Sequence, residues 1–295
     1  MDINYELYKV FYHVAASLSF SEASKQLYIS QSAVSQSIKT LEKKLGQPLF
    51  IRSTKKVQLT PAGQILYAHI EPAMNLIRRG EDQLIDSGLL GLGQLHIGAS
   101  DTICRYFLVP YLEEFHRKFP YVPIKVTNAT SPSCVTLLEQ GKVDLIVTNF
   151  PNLVLNPSYR KKTVCSFTDV FIANSDYAML KGQEIPLAQL KEYPILMLDR
   201  RSTTSVFLHN LFLQHQLELI PQIELGSNDL LIDLARIGLG IAFIPDYCLT
   251  RESGDLFIVH TKEPLPSRQI VAAVNPTLPT AQATEEFLAL LPEVT

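Results

Sequence analysis

The feature that most constrains this chain lies in its first sixty residues, where two short helical patterns meet at a tight joint. Residues 21–28 (Ser-Glu-Ala-Ser-Lys-Gln-Leu-Tyr) are followed by Ile29-Ser30 and then by residues 31–46 (Gln-Ser-Ala-Val-Ser-Gln-Ser-Ile-Lys-Thr-Leu-Glu-Lys-Lys-Leu-Gly). The second pattern starts with small polar groups and has an apolar back of Ala33, Val34, Ile38, Leu41 and Leu45 at helical spacing. Ser30 is expected to cap it, and Gly46 followed by Pro48 to end it. Ser21 is read as the cap of the shorter helix, with Ala23 and Leu27 facing inward, and an earlier helix over residues 3–16 carries the stripe Leu7, Val10, Phe11 and Val14. Residues 49–59 read as two short apolar strands around a basic turn, a hairpin wing. A helix end with short polar side chains and a rigid apolar back is the shape needed to enter a DNA groove.

Thr60-Pro61 then reads as an N-cap with proline at the first helical position. The long helix it opens, residues 61–86, repeats Ile65, Leu66, Ile70, Ala73, Leu76, Ile77 and Leu84 at helical spacing. A wing is too small to bury such a stripe, which makes pairing with a second copy the expectation. Gly88, Gly91 and Gly93 mark a linker. Beyond it the pattern alternates. Strands are expected at residues 94–99, 124–128, 143–148, 170–173, 195–198, 222–225 and 241–244. Helices are expected at 102–119 (Phe107, Leu108, Leu112 and Phe115 inside), at 131–140, from about 202, and at 228–237. The fold class is therefore α/β, with mostly parallel sheets and covering helices in two similar lobes.

Composition supports this division. Net charge is −3, yet residues 1–60 hold eight Lys and Arg against four Asp and Glu, leaving a basic head of +4 on a body of −7. A chain that meets phosphate at one end has this asymmetry. Hydrophobic residues make up 46% and charged residues 19%, and no run of eighteen apolar residues exists, so a transmembrane helix is not expected. No secretory signal is read at the N-terminus, and the cytoplasm is the expected compartment. Cys104, Cys134, Cys165 and Cys248 lie far apart without a C-x-x-C pair, which fits reduced thiols rather than a zinc or disulfide framework.

On the reading helix, Gln31, Ser32, Ser35, Gln36 and Lys39 share one face next to the cap Ser30. Gln can pair with adenine in the major groove, and Lys can reach guanine or phosphate. Arg52, Lys55 and Lys56 on the wing suit phosphate or minor-groove contact.

These residues resemble a known family. Phe20-Ser-Glu-Ala-Ser-Lys-Gln-Leu27, Gln31-Ser-Ala-Val-Ser-Gln-Ser-Ile38, Leu41-Glu-Lys-Lys-Leu-Gly46, Leu49-Phe-Ile-Arg52 and Leu59-Thr-Pro-Ala-Gly63 are similar to the winged helix-turn-helix of LysR-type transcriptional regulators. Gln36 stands where that family often has Arg. The resemblance implies a DNA-binding domain over residues 1–60, a dimerisation helix over 61–91, and an effector domain over 92–295. That domain would be periplasmic-binding-protein-like, with Rossmann-like lobes at 92–163 plus 268–295 and at 164–267. It also implies a homodimer or homotetramer on an interrupted palindrome near a promoter, controlled by a small molecule in the interlobe cleft.

For the effector, helix starts near strand ends supply backbone N–H groups and a favourable dipole for anions. Candidates read from the residues are Ser100, Asp101 and Thr102, Ser131 (as a cap) and Ser133, Thr148 and Asn149 (where the chain is expected to cross between lobes), Ser202 and Thr203, and Asn228. The resemblance adds that positions like Ser100, Thr102, Ser202 and Thr203 commonly bind effectors in that family. A small anion is the expected effector, with Arg200 or Arg201 offsetting Asp101. Three alternatives remain at this point: a redox-responsive regulator acting through cysteines, an α/β enzyme, and a solute-binding protein. No G-x-S-x-G, P-loop or H-E-x-x-H appears, and Gly88-Leu-Leu-Gly-Leu-Gly93 precedes the first strand, where a dinucleotide loop would follow it. No cofactor or metal is expected. A solute-binding protein would have no use for residues 1–60.

Overall fold

The computed structural model describes residues 3–52, 56–86, 92–249 and 254–294. The chain divides into two units, residues 1–85 with 140–142, and the remainder.

In the first unit, α1 (Tyr5–Ser17), α2 (Phe20–Gln26) and α3 (Gln31–Leu45) precede a hairpin of β1 (Phe50–Arg52) and β2 (Val57–Leu59), and α4 (Pro61–Asp86) follows. The three short helices close on Phe11, Val14, Ala23, Val34, Ile38, Leu41 and Leu49, all at most 1% exposed. The cap of α2 is Ser19, not Ser21: the Ser19 hydroxyl accepts from the Glu22 amide at 3.1 Å. Starting the helix there draws Phe20 into its first turn, where the ring meets Phe50 with centroids 5.7 Å apart. Ser30 caps α3 by accepting from the Ala33 amide at 3.2 Å, and Gly46 ends it with φ of 70°. Ala33, read as buried, is exposed and lies beside the polar face.

Strands β1 and β2 pair antiparallel with Phe50 opposite Leu59, and the wing tip, including Lys55, lies outside the described residues. Thr60 joins wing to helix. Its hydroxyl donates to the Pro48 carbonyl at 2.7 Å and accepts from the Gly63 amide at 3.0 Å, satisfying an orphan donor of α4. Leu66, Tyr67 and Ile70 of α4 pack on the helical core, whereas Ile65, Ile77 and Leu84 are more than half exposed. The glycines read as linker at 88 and 91 are outside the described residues.

The second unit opens with β3 (Leu95–Ala99) and α5 (Asp101–Ile103). A π-helical turn, Cys104–Leu108, joins α5 to α6 (Val109–Lys118), so the single helix expected over 102–119 is interrupted. Then come β4 (Ile124–Asn128), α7 (Ser131–Glu139), β5 (Leu145–Phe150) and β6 (Arg160–Phe167). Lobe II holds β7 (Asp169–Ala173), β8 (Glu184–Ile185), α8 (Leu187–Leu190), β9 (Ile195–Leu198), α9 (Thr203–Gln214), β10 (Ile223–Leu225), α10 (Asn228–Arg236), β11 (Ile241–Pro245) and β12 (Phe257–Thr261). The chain then returns to lobe I as β13 (Arg268–Val274) and α11 (Gln282–Leu290).

Lobe I has the strand order β4-β3-β5-β13-β6 and lobe II the order β10-β9-β11-β7-β12-β8. Each is built on three parallel strands with a crossover order (β4-β3-β5; β10-β9-β11) and extended by an antiparallel strand from across the chain (β13; β7). The sheets are thus mixed, with two parallel and two antiparallel pairings in lobe I and three parallel and two antiparallel in lobe II, and two strand segments, β6–β7 and β12–β13, run between the lobes. The crossing is at Thr168, between β6 and β7, not at Thr148-Asn149: β5 continues to Phe150 inside the first sheet, and β6 pairs with β13 through Phe167. Sheet pairing therefore assigns residues 160–167 to lobe I, four residues beyond the boundary read at 163. Helices cover both faces of each sheet over separate buried clusters, for example Ile97, Val147 and Phe287 on one side of the first sheet and Val135, Ile146 and Val271 on the other.

Candidate functional site

On the first unit, Gln31, Ser32 and Ser35 line a shallow groove floored by Phe20 and Val57, with Ser30 at its end through a 2.9 Å hydroxyl contact to Ser32. Gln36 and Lys39 are exposed one turn further along α3, and Lys56 is exposed at the wing base. Val34, Ile38 and Leu41 anchor the opposite side of α3, so the polar face is presented rigidly. The side chains of Arg52 and Lys55 are outside the described residues. A Lys39→Ala variant is expected to weaken binding to specific and unrelated duplexes alike and to reduce the log–log salt slope by about 0.9, read by fluorescence anisotropy over a salt series.

In the second unit, strand ends and helix starts of both lobes converge on a cavity of about 280 Å³. Ser100, Asp101 and Thr102 line it from the start of α5, Ser131 from α7, Asn149 from β5, Ser202 and Thr203 from α9, and Asn228 from α10. The caps are as local sequence dictates. Ser100 accepts from the Ile103 amide (3.3 Å), Ser202 from the Ser205 amide (3.0 Å) and Ser227 from the Leu230 amide (3.4 Å). Ser131 is not a cap. Thr130 takes that place, accepting from the Ser133 amide at 3.4 Å, and Ser131, one residue inside, accepts from the Asn149 amide at 3.3 Å and ties α7 to β5.

Two expected residues are absent from the lining. Ser133 is exposed and bonded to Thr130 at 2.9 Å, and Thr148 is fully buried, receiving the Asn152 amide at 3.1 Å. Both belong to the scaffold. Sequence reading missed Asn128, Thr130, Asp199, Thr204 and Tyr247. Asn128 and Asp199 were visible as polar residues just at strand ends; Tyr247, in a short 3₁₀ turn after β11, carried no such signal.

The cleft is bridged. Asn228 donates from Nδ2 to Thr102 Oγ1 at 2.9 Å, and the Tyr106 hydroxyl donates to Asp229, joining the start of α10 to α5 and the π-helical turn after it across the lobes. Arg201 does not face the cavity as a free cation: it holds Asp199 through Nη2–Oδ2 at 2.6 Å and through Nε, which keeps that carboxyl below its ordinary range. Arg200 is not among the lining residues.

Behind the α9 end of the cavity lies a charged pair that sequence reading did not find. Arg268, 2% exposed at the first position of β13, donates to Asp169 at 2.6 Å, the first residue of β7 and fully buried. The same guanidinium reaches Thr204 Oγ1 at 3.1 Å and Thr203 Oγ1 at 3.2 Å and lies between the rings of Phe167 and Phe207. Its signal is hidden in the sequence because its partner lies ninety-nine positions away on another strand.

Burial raises all four thiols, Cys104 to about 11 and Cys134 to about 12, with Cys165 and Cys248 also shifted up. Reactive sensor thiols need the opposite shift, so this arrangement favours packing over redox chemistry at the cysteines. Among the described residues no cluster of metal ligands occurs and no helix is long and apolar enough to cross a membrane.

Two family models match the chain: the bacterial regulatory helix-turn-helix protein of the lysR family over residues 5–64, and the LysR substrate binding domain over residues 91–295. The chain is 28% identical over 286 residues to an uncharacterized HTH-type transcriptional regulator, YfeR, of Shigella flexneri, covering 95% of this chain and 91% of that one. It is 27% identical over 248 residues to the HTH-type transcriptional activator CmpR of Synechocystis, covering 83% and 80%. The fold matches full-length CbnR complexed with its target DNA with a TM-score of 0.69 at 18% identity, over 98% of this chain and 99% of that one. With its winged helix-turn-helix, its two-lobed cleft and these matches, the chain belongs to the LysR family of DNA-binding transcriptional regulators.

Proposed function

We propose that the interlobe cavity is the effector site of this regulator and that α4 supplies its dimer contact. The observation that carries the first part is the convergence of four helix starts, from α5, α7, α9 and α10, on one cavity of about 280 Å³. A cavity of that volume suits a small metabolite. Backbone N–H groups at helix starts favour an anionic group on the ligand. The second part rests on apolar side chains exposed along α4, Ile65 and Ile77 among them. In this reading the chain acts in the cytoplasm on an interrupted palindrome and responds to ligand without catalysis.

Footprinting of the full protein on its own upstream DNA, with and without a panel of small organic acids, tests this. Protection over an interrupted palindrome that shortens or shifts with one compound is the expected result. Ser100→Ala, Thr102→Ala and Ser202→Ala are each expected to weaken the response about tenfold, as for loss of one hydrogen bond to a charged group. A normal response in all three would remove the cavity from the mechanism.

A further inference from the structure

The charge and hydrogen-bond balance of the cavity points to a narrower ligand class. We propose that the effector is a small zwitterion, an amino acid with a free ammonium and a single carboxylate. This inference rests on the cavity being the effector site and narrows what it accepts.

The cavity offers one kind of help to anions and a different kind to cations. Help to anions comes from the helix starts alone. No lysine or histidine lines it, and its single arginine, Arg201, is already spent on Asp199. With Asp101 also in the lining, the formal side-chain charge around the ligand is −1. A dicarboxylate or phosphate ester would bring a second negative charge to a cavity with no cation left to meet it, whereas one carboxylate is within reach of helix dipoles.

Two of the unsatisfied groups in the lining are amide oxygens. Asn228, 3% exposed, has its Nδ2 committed to Thr102 and its Oδ1 buried without a partner. Asn149, 8% exposed, likewise leaves Oδ1 unpartnered. Both line the cavity, and buried amide oxygens without a donor are costly. Asp101 accepts from Asn128 Nδ2 at 3.2 Å and forms no ion pair among the described residues. The Asp101 carboxylate, with the two buried amide oxygens turning toward the cavity as a ligand enters, would form a receptor for an N–H-rich cation. An ammonium carries three donors and a positive charge; the hydroxyl of a hydroxy acid carries one donor and no charge. Tyr247 also lines the cavity, with its hydroxyl buried and without a partner.

The test is calorimetric titration of the full protein with each of the twenty common amino acids, followed by the N-acetyl and 2-hydroxy analogues of the tightest binder, and by a set of dicarboxylates and phosphate esters. One amino acid is expected to bind, with both analogues weaker by about tenfold or more, and Asp101→Asn is expected to weaken the amino acid to the level of its 2-hydroxy analogue. An unchanged melting temperature of the ligand-free Asp101→Asn protein would show that its fold is intact. Equal binding of the analogues, preference for a dicarboxylate or phosphate ester, or no amino-acid binding at millimolar concentration would each overturn the proposal. If a compound of another class binds and Ser202→Ala abolishes it, the cavity stands as the site and only the zwitterion falls. If binding survives both Ser202→Ala and Asn228→Ala, the cavity assignment itself fails.

Discussion

An Arg268→Ala variant is expected to lose about 3–5 kcal/mol of stability in the second unit, because it strands the fully buried Asp169 without its counter-charge. For a unit of this size that corresponds to a fall in melting temperature on the order of 10 °C. The size follows from the surroundings. Asp169 is 0% exposed, its Oδ1 already lacks a partner, and the guanidinium is enclosed between two phenylalanine rings. The sign of the pH dependence follows too. Burial pushes the Asp169 carboxyl up, and Arg268 pulls it down. With Arg268 gone the upward push is unopposed, so the folded variant keeps a proton that the unfolded chain releases above about pH 4. Native protein then binds more protons than unfolded, and the variant's stability falls as pH rises. Urea unfolding at about pH 5 and about pH 8 should show a deficit that is smaller at the acid end. Adding Asp169→Leu to Arg268→Met should recover much of the loss, since an apolar pair of similar volume removes the stranded charge. The double variant should nonetheless respond poorly to effector, because Thr203 and Thr204 at the cavity would have lost the group that orients them.

Gly63→Ala is expected to damage the DNA-binding unit, reversing the usual sign of the substitution. In an ordinary helix interior, alanine gains about 1 kcal/mol over glycine. Here a Cβ would stand 2.1 Å from the Leu49 carbonyl oxygen and 3.0 Å from Leu59, and the first of these is backbone that cannot rotate away. Forced overpacking of this kind costs about 1–3 kcal/mol or more. The displaced group is the wing itself, since Leu49 leads into β1 and Leu59 ends β2. Duplex affinity should fall at least about tenfold, while a calorimetric scan should leave the transition of the second unit in place.

The parts of the molecule that sequence exposed best are those with local periodicity. Val34, Ile38 and Leu41 repeat on α3, Ser30 and Gly46 bracket it, and Thr60-Pro61 opens α4; each is a local rule that tertiary packing left intact. The Ser19 cap escaped because Phe20 belongs to the core through a partner thirty residues away, Phe50, and local spacing does not record that contact. The interlobe cavity was legible at eight positions for the same local reason, as caps and strand ends. Ser133 and Thr148 have the same chemistry, and only the fold separates a polar group that faces the cavity from one that braces it. Arg268 and Asp169 were illegible because their pairing spans about a hundred residues and both open strands that return between the lobes.

Those two returning segments have a mechanical consequence. On one side the lobes are separated by a single residue, Thr168, between β6 and β7; on the other, by the short stretch between β12 and β13. Thr168 is clasped from both directions, its amide by the Asp246 carboxylate at 3.1 Å and its carbonyl by the Asp246 amide at 2.9 Å. Two straps, one of them this short, favour rotation about the line that joins them over other relative motions of the lobes. A rotation about one axis has one amplitude. Ligands of different shape entering the cleft would then set different angles along the same arc, and a strong inducer, a weak one and a competitor would differ in degree of turn alone, readable from a single distance between one label on each plate.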